Sequence, residues 1–194
     1  MIKKSALILF IALVSSCNKT TDSNTASDTP YFSTSALLNE QIDLLLSLDA
    51  GLEKHVKTGE TSEILELKPE DFTAWKSQLK LFFDADISKP GYIGAYKVEE
   101  LPDIGSLSKT VYTSLKKKNF VQAMECSYEN KLLKEIKIEL SKDNEVFQLN
   151  QKLFLYFNLE SRQSRLSSFY ISGAEEMRLK SSLDFDIKAT IVIP

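Results

Sequence analysis

Residues 183 to 193 read Leu-Asp-Phe-Asp-Ile-Lys-Ala-Thr-Ile-Val-Ile, so apolar and polar side chains alternate along most of the stretch. Successive side chains of a β-strand point to opposite faces of a sheet. Such an alternation therefore predicts a strand with one face buried and the other in water. Residues 132 to 141 follow the same pattern. These two stretches predict that the chain is built around a β-sheet.

The apolar period is two residues from Tyr92 onward, which predicts a series of strands. Short polar links such as Glu129-Asn130-Lys131 favour antiparallel neighbours. The C-terminal half of the chain is therefore predicted to be an antiparallel meander. Its predicted strands are 92–99, 108–115, 120–128, 132–141, 145–158, 166–172, 176–181 and 183–193.

Two amphipathic helices are predicted before this sheet. Residues 35 to 49 place leucine and isoleucine at three- and four-residue spacing, and Gly51 ends the pattern. The second helix begins near Pro69, which suits a first helical turn. An apolar stripe follows at helical spacing. Its members are Phe72, Trp75, Leu79, Phe82 and Phe83.

Residues 52 to 67 contain the turn-like Gly59-Glu60-Thr61 and are predicted to form a short hairpin. The predicted fold class is α+β. It consists of two N-terminal amphipathic helices packed on a curved antiparallel β-meander, with the short hairpin between the helices.

The first 16 residues have the features of a secretory signal. Lys3 and Lys4 precede a nine-residue apolar run, 6 to 14. A helix of that length rises about 14 Å, against about 30 Å for the hydrocarbon core of a bilayer. The following Val14-Ser15-Ser16-Cys17 resembles the lipobox of bacterial lipoproteins. We therefore expect cleavage before Cys17 and lipidation of its thiol.

Three segments follow from this prediction: a signal peptide (1–16), the acylated cysteine with a disordered tether (17–30), and one α+β domain (31–194). The tether lacks large apolar side chains, which predicts disorder. Asn18 stands where an aspartate commonly marks retention in the inner membrane, so by resemblance it favours the outer membrane. We expect a lipid-anchored protein of the cell envelope, on either the periplasmic or the outward face.

The formal charge of the chain is -3, and without residues 1–16 it has 22 basic and 27 acidic residues, a net charge of -5. A mildly acidic chain lacks the electrostatic footprint of a nucleic-acid-binding protein. The one basic run, Lys116-Lys117-Lys118, is interpreted as a solvated turn rather than as a phosphate or headgroup site.

No catalytic, metal or cofactor set is predicted. His55 is the only histidine, which excludes Ser/His/Asp triads and metal sites with several histidines. Cys126 is predicted to be a buried, unreactive thiol. Asp184 and Asp186 share one face of the last strand, where a solvated surface is expected. We therefore expect no enzymatic activity.

One strand departs from the simple alternation. In residues 145–158, Phe154 and Tyr156 lie on the face opposite the main apolar row, so a partner or an apolar ligand is expected to cover them. With Trp75, Leu79 and Phe82 of the second helix, they form the candidate ligand or partner surface.

Three functions are open at this point. The leading one is a non-enzymatic accessory, scaffolding or partner-binding lipoprotein whose partner is an envelope protein. The alternative is a carrier of lipid or another apolar ligand with a half-barrel-like sheet. That carrier needs a cavity of several hundred Å³, lined by the aromatic residues of the second helix and by residues 147–157. A hydrolase is third.

Four pieces of the mature chain form a recognisable series of motifs: Tyr31-Phe32, Trp75 with Leu79 and Phe82, Asp86-Ile87-Ser88-Lys89-Pro90, and Tyr96. Together they are similar to the motifs of a family of small, uncharacterised lipoproteins of Bacteroidota. The resemblance covers most of the mature chain and implies an envelope location and the hairpin at 52–67, but no active site. Ser33, Ser35 and Ser88 depart from the family pattern.

Overall fold

The computed structural model describes residues 30–143, 147–160, 163–177 and 182–194. The predicted signal peptide, Cys17 and the predicted tether up to residue 29 lie outside these residues, as do residues 178–181 of a predicted strand. The described elements, in chain order, are α1 (Thr34–Ser47), β1 (Gly51–Thr58), β2 (Thr61–Leu67), α2 (Phe72–Gln78), α3 (Lys80–Asp84), a 3₁₀ turn (Pro90–Tyr92), β3 (Tyr96–Ile104), β4 (Leu107–Ser114), β5 (Val121–Glu129), β6 (Leu132–Asp143), β7 (Phe147–Glu160), β8 (Gln163–Met177) and β9 (Leu183–Val192).

The described strands form one nine-stranded antiparallel sheet in the order β2-β1-β9-β8-β7-β6-β5-β4-β3. The hairpin β1-β2 is therefore part of the sheet and is joined to it by the last strand. Leu52 of β1 lies opposite Ile191, and Val56 lies opposite Ile187. Because opposite residues share a face, this register continues the apolar face of β9 into β1.

The predicted fold class is wrong in its layout. The structure is mostly strand, with one helix before the sheet, and it does not consist of two helices packed on a meander beside a separate hairpin. The predicted second helix is two short helices, α2 and α3, which meet at Leu79. An apolar stripe at helical spacing does not require one continuous helix, because two short helices can bury the same side chains.

Strand β8 also differs from the prediction, which placed separate strands at 166–172 and 176–181. Gly173 lies inside β8 and not in a turn. A Cβ at this position would lie 2.8 Å from the carbonyl oxygen of Asn150. The glycine therefore permits a close approach between two strands, one of the two uses of an isolated glycine in a strand.

One face of the sheet packs against the helices and forms the core with them. The ring of Phe82 in α3 meets that of Phe169 in β8 edge to face, with the centroids 5.6 Å apart. Gln41 of α1 donates from Nε2 to the carbonyl oxygen of Ser164 and accepts from the backbone N–H of Leu166, at 3.1 and 2.6 Å. The helix is thus joined to β8 by both packing and hydrogen bonds.

No described helix packs on the opposite face of the sheet, which is called the uncovered face. It carries alternate residues of each strand, such as Lys137 in β6, Phe154 in β7 and Tyr170 in β8. Among the described residues of this face, none is fully buried. The surfaces of the sheet that a ligand or partner can reach are therefore this face and the ends of the strands.

Candidate functional site

The five residues of the predicted surface lie on two sides of the sheet. Trp75, Leu79 and Phe82 are completely buried between the helices and the sheet. Phe154 and Tyr156 lie on the uncovered face, because their neighbours in β7 take the core positions. The structure therefore does not bring the two groups together.

Phe154, Tyr156 and Tyr170 form an aromatic cluster on the uncovered face. The rings of Phe154 and Tyr156 are nearly parallel, with an interplanar angle of 4° and centroids 6.1 Å apart. Tyr170 lies directly opposite Phe154 in the ladder, and their centroids are 5.8 Å apart. Tyr156 is 37% exposed. The cluster therefore offers aromatic surface to a partner.

The sequence pattern alone does not single out Tyr170 as a member of this cluster. The only signal in the sequence is its position between the core residues Phe169 and Ile171, which places its side chain on the opposite face of the strand. This alternation gives the face of the sheet but not the cross-strand neighbour. Only the β7–β8 register places this tyrosine beside Phe154.

Lysines surround the aromatic cluster. Lys137 lies opposite Phe154, Lys188 lies opposite Tyr170, and Lys152 precedes Phe154 by two residues on the same face. Within the described part of the chain, the side-chain amines of Lys152 and Lys188 form neither a hydrogen bond nor an ion pair. Two amines without an internal partner therefore flank the aromatic rings.

Lys137, in contrast, belongs to a charged network. Its Nζ lies 3.0 Å from Oε1 of Glu139 and 3.5 Å from Oε1 of Glu125. The hydrogen bond with Glu139 raises the pKa of Lys137. Glu125 also pairs with Lys109 at 2.8 Å, and that hydrogen bond lowers the pKa of the Glu125 carboxyl. On this side of the uncovered face, the lysines and glutamates therefore neutralise one another.

Asp186 lies at the other side of the cluster. Its Oδ1 accepts a hydrogen bond from the Tyr170 hydroxyl, and this bond raises the pKa of the tyrosine. Burial and the nearby charge of Glu135 raise the pKa of Tyr156. Both hydroxyls therefore remain protonated. The hydroxyl of Tyr156 can donate a hydrogen bond to a partner, whereas that of Tyr170 already donates to Asp186 and can only accept one.

Two clefts on the uncovered face lie near the cluster. One has a volume of about 460 Å³ and is lined by Glu139, Asn150, Lys152 and Ser172. The other has a volume of about 280 Å³, and its lining includes His55, Asp186 and Lys188. Neither cleft is lined by the aromatic residues of α2 and α3, where the carrier alternative places its cavity.

The remaining reactive groups are held in place by their neighbours. Nε2 of His55 lies 2.8 Å from Oε1 of Glu53. Cys126 is buried, and burial raises the pKa of its thiol to about 12. Within the described ranges, no cluster of three or more His, Cys, Asp or Glu side chains could hold a metal ion. None of the described helices is long and apolar enough to cross a bilayer.

No protein-family model matches the chain, and no curated protein or solved structure matches it either.

Proposed function

We propose that this chain is a lipid-anchored protein of the cell envelope that binds a partner protein through the uncovered face of its sheet. The role is accessory or scaffolding and not enzymatic. One observation carries the proposal: the partly exposed aromatic cluster, flanked by Lys152 and Lys188. The lipobox ending at Cys17 supports the location in the envelope.

The chemistry of the cluster fits a protein interface. Tyrosine and other aromatic residues are enriched at the centres of such interfaces, where they bury large areas at low conformational cost. The hydroxyls of Tyr156 and Tyr170 add polar contacts at the edge. The two amines without internal partners would match carboxylates of the partner. We therefore expect an acidic partner surface with an apolar centre.

The anchor is tested with the two cysteines of the chain. Cells expressing Cys17→Ala are expected to lose both fatty-acid labelling of the protein and its recovery with membranes. Cys126→Ala is the matched control and keeps both, because that thiol is buried in the sheet. Labelling that persists in Cys17→Ala would contradict the lipid anchor.

The partner surface is tested by site-specific photo-cross-linking in intact cells. A photoreactive phenylalanine analogue at Tyr156 is expected to give one cross-linked product of defined mass. The same analogue at Phe72, on the helix side of the molecule, is the control and is expected to give none.

Charge reversal distinguishes a specific partner from chance contacts. Lys152→Glu combined with Lys188→Glu is expected to reduce the Tyr156 product at least tenfold, on the order of two lost interfacial charge pairs. The unfolding midpoint is measured in parallel and should fall only slightly, because the glutamate at position 152 would stand directly opposite Glu139 on an exposed face. An equal yield from Tyr156 and Phe72 would contradict the proposal.

A further inference from the structure

A second surface lies at the end of the sheet where β3 begins and β4 ends. Ile93 and Leu115 are 64% and 62% exposed there. The backbone N–H of Leu115 donates to the carbonyl oxygen of Ala95 at 2.9 Å, so the two segments are adjacent. Lys116, Lys117 and Lys118 follow directly, and all three are exposed. We call these five residues, Ile93, Leu115, Lys116, Lys117 and Lys118, the basic corner.

The turn that carries the lysines is closed by its own hydrogen bonds. The hydroxyl of Ser114 accepts from the backbone N–H of Lys116 and donates to its carbonyl oxygen, at 3.2 and 2.9 Å. The side chain of Asn119 donates to the same hydroxyl at 2.9 Å. Gln122 donates from Nε2 to the carbonyl oxygen of Lys117 at 3.1 Å. The turn is therefore ordered without using the lysine amines.

A cleft of about 390 Å³ adjoins this turn. Its lining includes Lys117, Lys118 and the half-buried ring of Phe120, together with Lys142 and Asp143. A cleft lined by amines and an aromatic ring suits an anionic headgroup attached to an apolar chain, because the charge and the apolar part each find a matching surface. The cleft therefore offers the same combination of basic and apolar groups as the basic corner.

The predicted anchor is connected at the same place. The hydroxyl of Tyr31 donates to the backbone carbonyl of Tyr96 and accepts from its N–H, at 3.2 Å each. Tyr96 directly follows Ala95, the backbone partner of Leu115. Thirteen residues separate Cys17 from Tyr31. A chain of that length spans at most about 45 Å, even fully extended. The basic corner is therefore within reach of the membrane that holds the lipid.

We propose that the basic corner docks on the headgroup region of an anionic bilayer. Ile93 and Leu115 enter the interface, and the three lysines pair with lipid phosphates. This inference rests on the lipid anchorage proposed above. Because the corner lies at the ends of the strands, docking leaves the uncovered face free for a partner. The orientation follows from exposed apolar and basic groups acting together, whereas a basic turn alone would be an ordinary solvated loop.

Flotation with lipid vesicles tests this docking without the anchor. Every buried residue of the described core lies at or after Tyr31, so a chain that begins at Asn18 keeps the whole core. This chain is expected to float with vesicles of phosphatidylglycerol and phosphatidylethanolamine at low salt. It should not float with vesicles of phosphatidylcholine alone, and added salt should weaken the binding.

Variants assign the effect to the corner. Replacing Lys116, Lys117 and Lys118 by alanine is expected to weaken partitioning roughly 100-fold, at about fivefold per lysine. The matched control replaces three exposed lysines at the opposite end of the sheet and should bind as the parent does. These control lysines are Lys68, Lys131 and Lys134. The double substitution Ile93→Ser with Leu115→Ser should weaken binding at every salt concentration.

Three outcomes would overturn the inference. The first is a parent chain that ignores anionic vesicles. The second is a corner variant that floats like the control. The third is displacement by inorganic phosphate at low millimolar concentration but not by chloride of equal ionic strength, which would make the cleft a free-phosphate site. None of these outcomes bears on the labelling of Cys17, so failure of the docking is distinguishable from failure of the anchor.

Discussion

Asp86 illustrates how one residue joins two distant segments. Its side chain is almost completely buried, and Oδ2 accepts from the backbone N–H of Ser35 at 3.1 Å and from the Ser33 hydroxyl at 3.3 Å. Oδ1 accepts from the N–H of Ser88 at 2.9 Å. The carboxylate thus satisfies a free N–H at the beginning of α1, where a negative charge is favourable. The Asp-Ile-Ser-Lys-Pro segment therefore has a structural role at this residue.

We predict that Asp86→Asn lowers the free energy of unfolding by about 1–3 kcal/mol at pH 7. Burial opposes ionisation, but the hydrogen bonds from Ser35 and Ser88 together outweigh it and hold the pKa of Asp86 below its ordinary value. The stabilisation is present above the unfolded pKa near 3.8 and is lost as the pH falls through the lower, folded pKa. Denaturant titrations at several pH values between about 2 and 7 measure the difference in the free energy of unfolding between Asp86→Asn and the parent chain.

Asp84→Asn is the control for this prediction. Asp84 lies two residues away and forms an exposed pair with Lys80, so its loss should cost less than about 1 kcal/mol. Equal effects of the two substitutions at pH 7 would argue against the role assigned to Asp86.

At the scale of elements, the position of α1 depends on one polar residue in an apolar face. Leu38, Ile42 and Leu45 are fully buried. Gln41 is buried beside them and bonds to the backbone of β8 at Ser164 and Leu166. Apolar packing tolerates some sliding of a helix over a sheet, whereas two hydrogen bonds from one amide do not. The glutamine therefore sets where α1 sits along β8.

We predict that Gln41→Met, which keeps the size of the side chain, lowers the free energy of unfolding by about 1–3 kcal/mol. The reason is that the N–H of Leu166 loses its acceptor in a buried place. Hydrogen exchange should also become faster at Leu166. Glu40→Met changes the adjacent exposed residue and should leave both quantities nearly unchanged. Unaltered hydrogen exchange at Leu166 in Gln41→Met would contradict the proposed role of Gln41 in fixing α1 against β8.

For the molecule as a whole, β9 is the element that closes the sheet. It lies between β8 and β1, so the last strand joins the first hairpin to the rest. Its residue Ala189 is fully buried between Phe169 and Lys54 in the ladder. Pairing of β9 with β1 joins segments that are far apart in the chain, which has a loop-closure cost in entropy.

We predict that removing residues 183–194 abolishes cooperative unfolding, because β1 and β8 each lose a partner and the apolar face of β9 is missing. Removal of Ile193 and Pro194 alone is the control, since both lie after β9 and should be dispensable. Trp75 is the only tryptophan and is fully buried, so its fluorescence reports on the core. A truncated chain that keeps a sharp transition and a blue-shifted Trp75 emission would contradict this role of β9.

The sequence by itself determined what is local. Alternation identified the strand-rich C-terminal half and the faces of Phe154 and Tyr156, and helical spacing identified α1. The lipobox at Cys17 and the single histidine are likewise read directly from the sequence. The lipid anchor and the lack of catalytic activity that were inferred from them stay predictions. Periodicity works here because each residue's face depends only on its own strand or helix.

The tertiary structure decided which strands pair and in what register. It placed the hairpin β1-β2 against β9, continued the predicted strand 166–172 through Gly173 to Met177 in β8, and brought Tyr170 beside Phe154. It also brought Ile93 and Leu115 to the same corner as the lysine run. These pairings join residues far apart in the chain, and several strands share the same alternation. The choice among them therefore depends on how the apolar faces fit together in the folded core, which no local pattern contains.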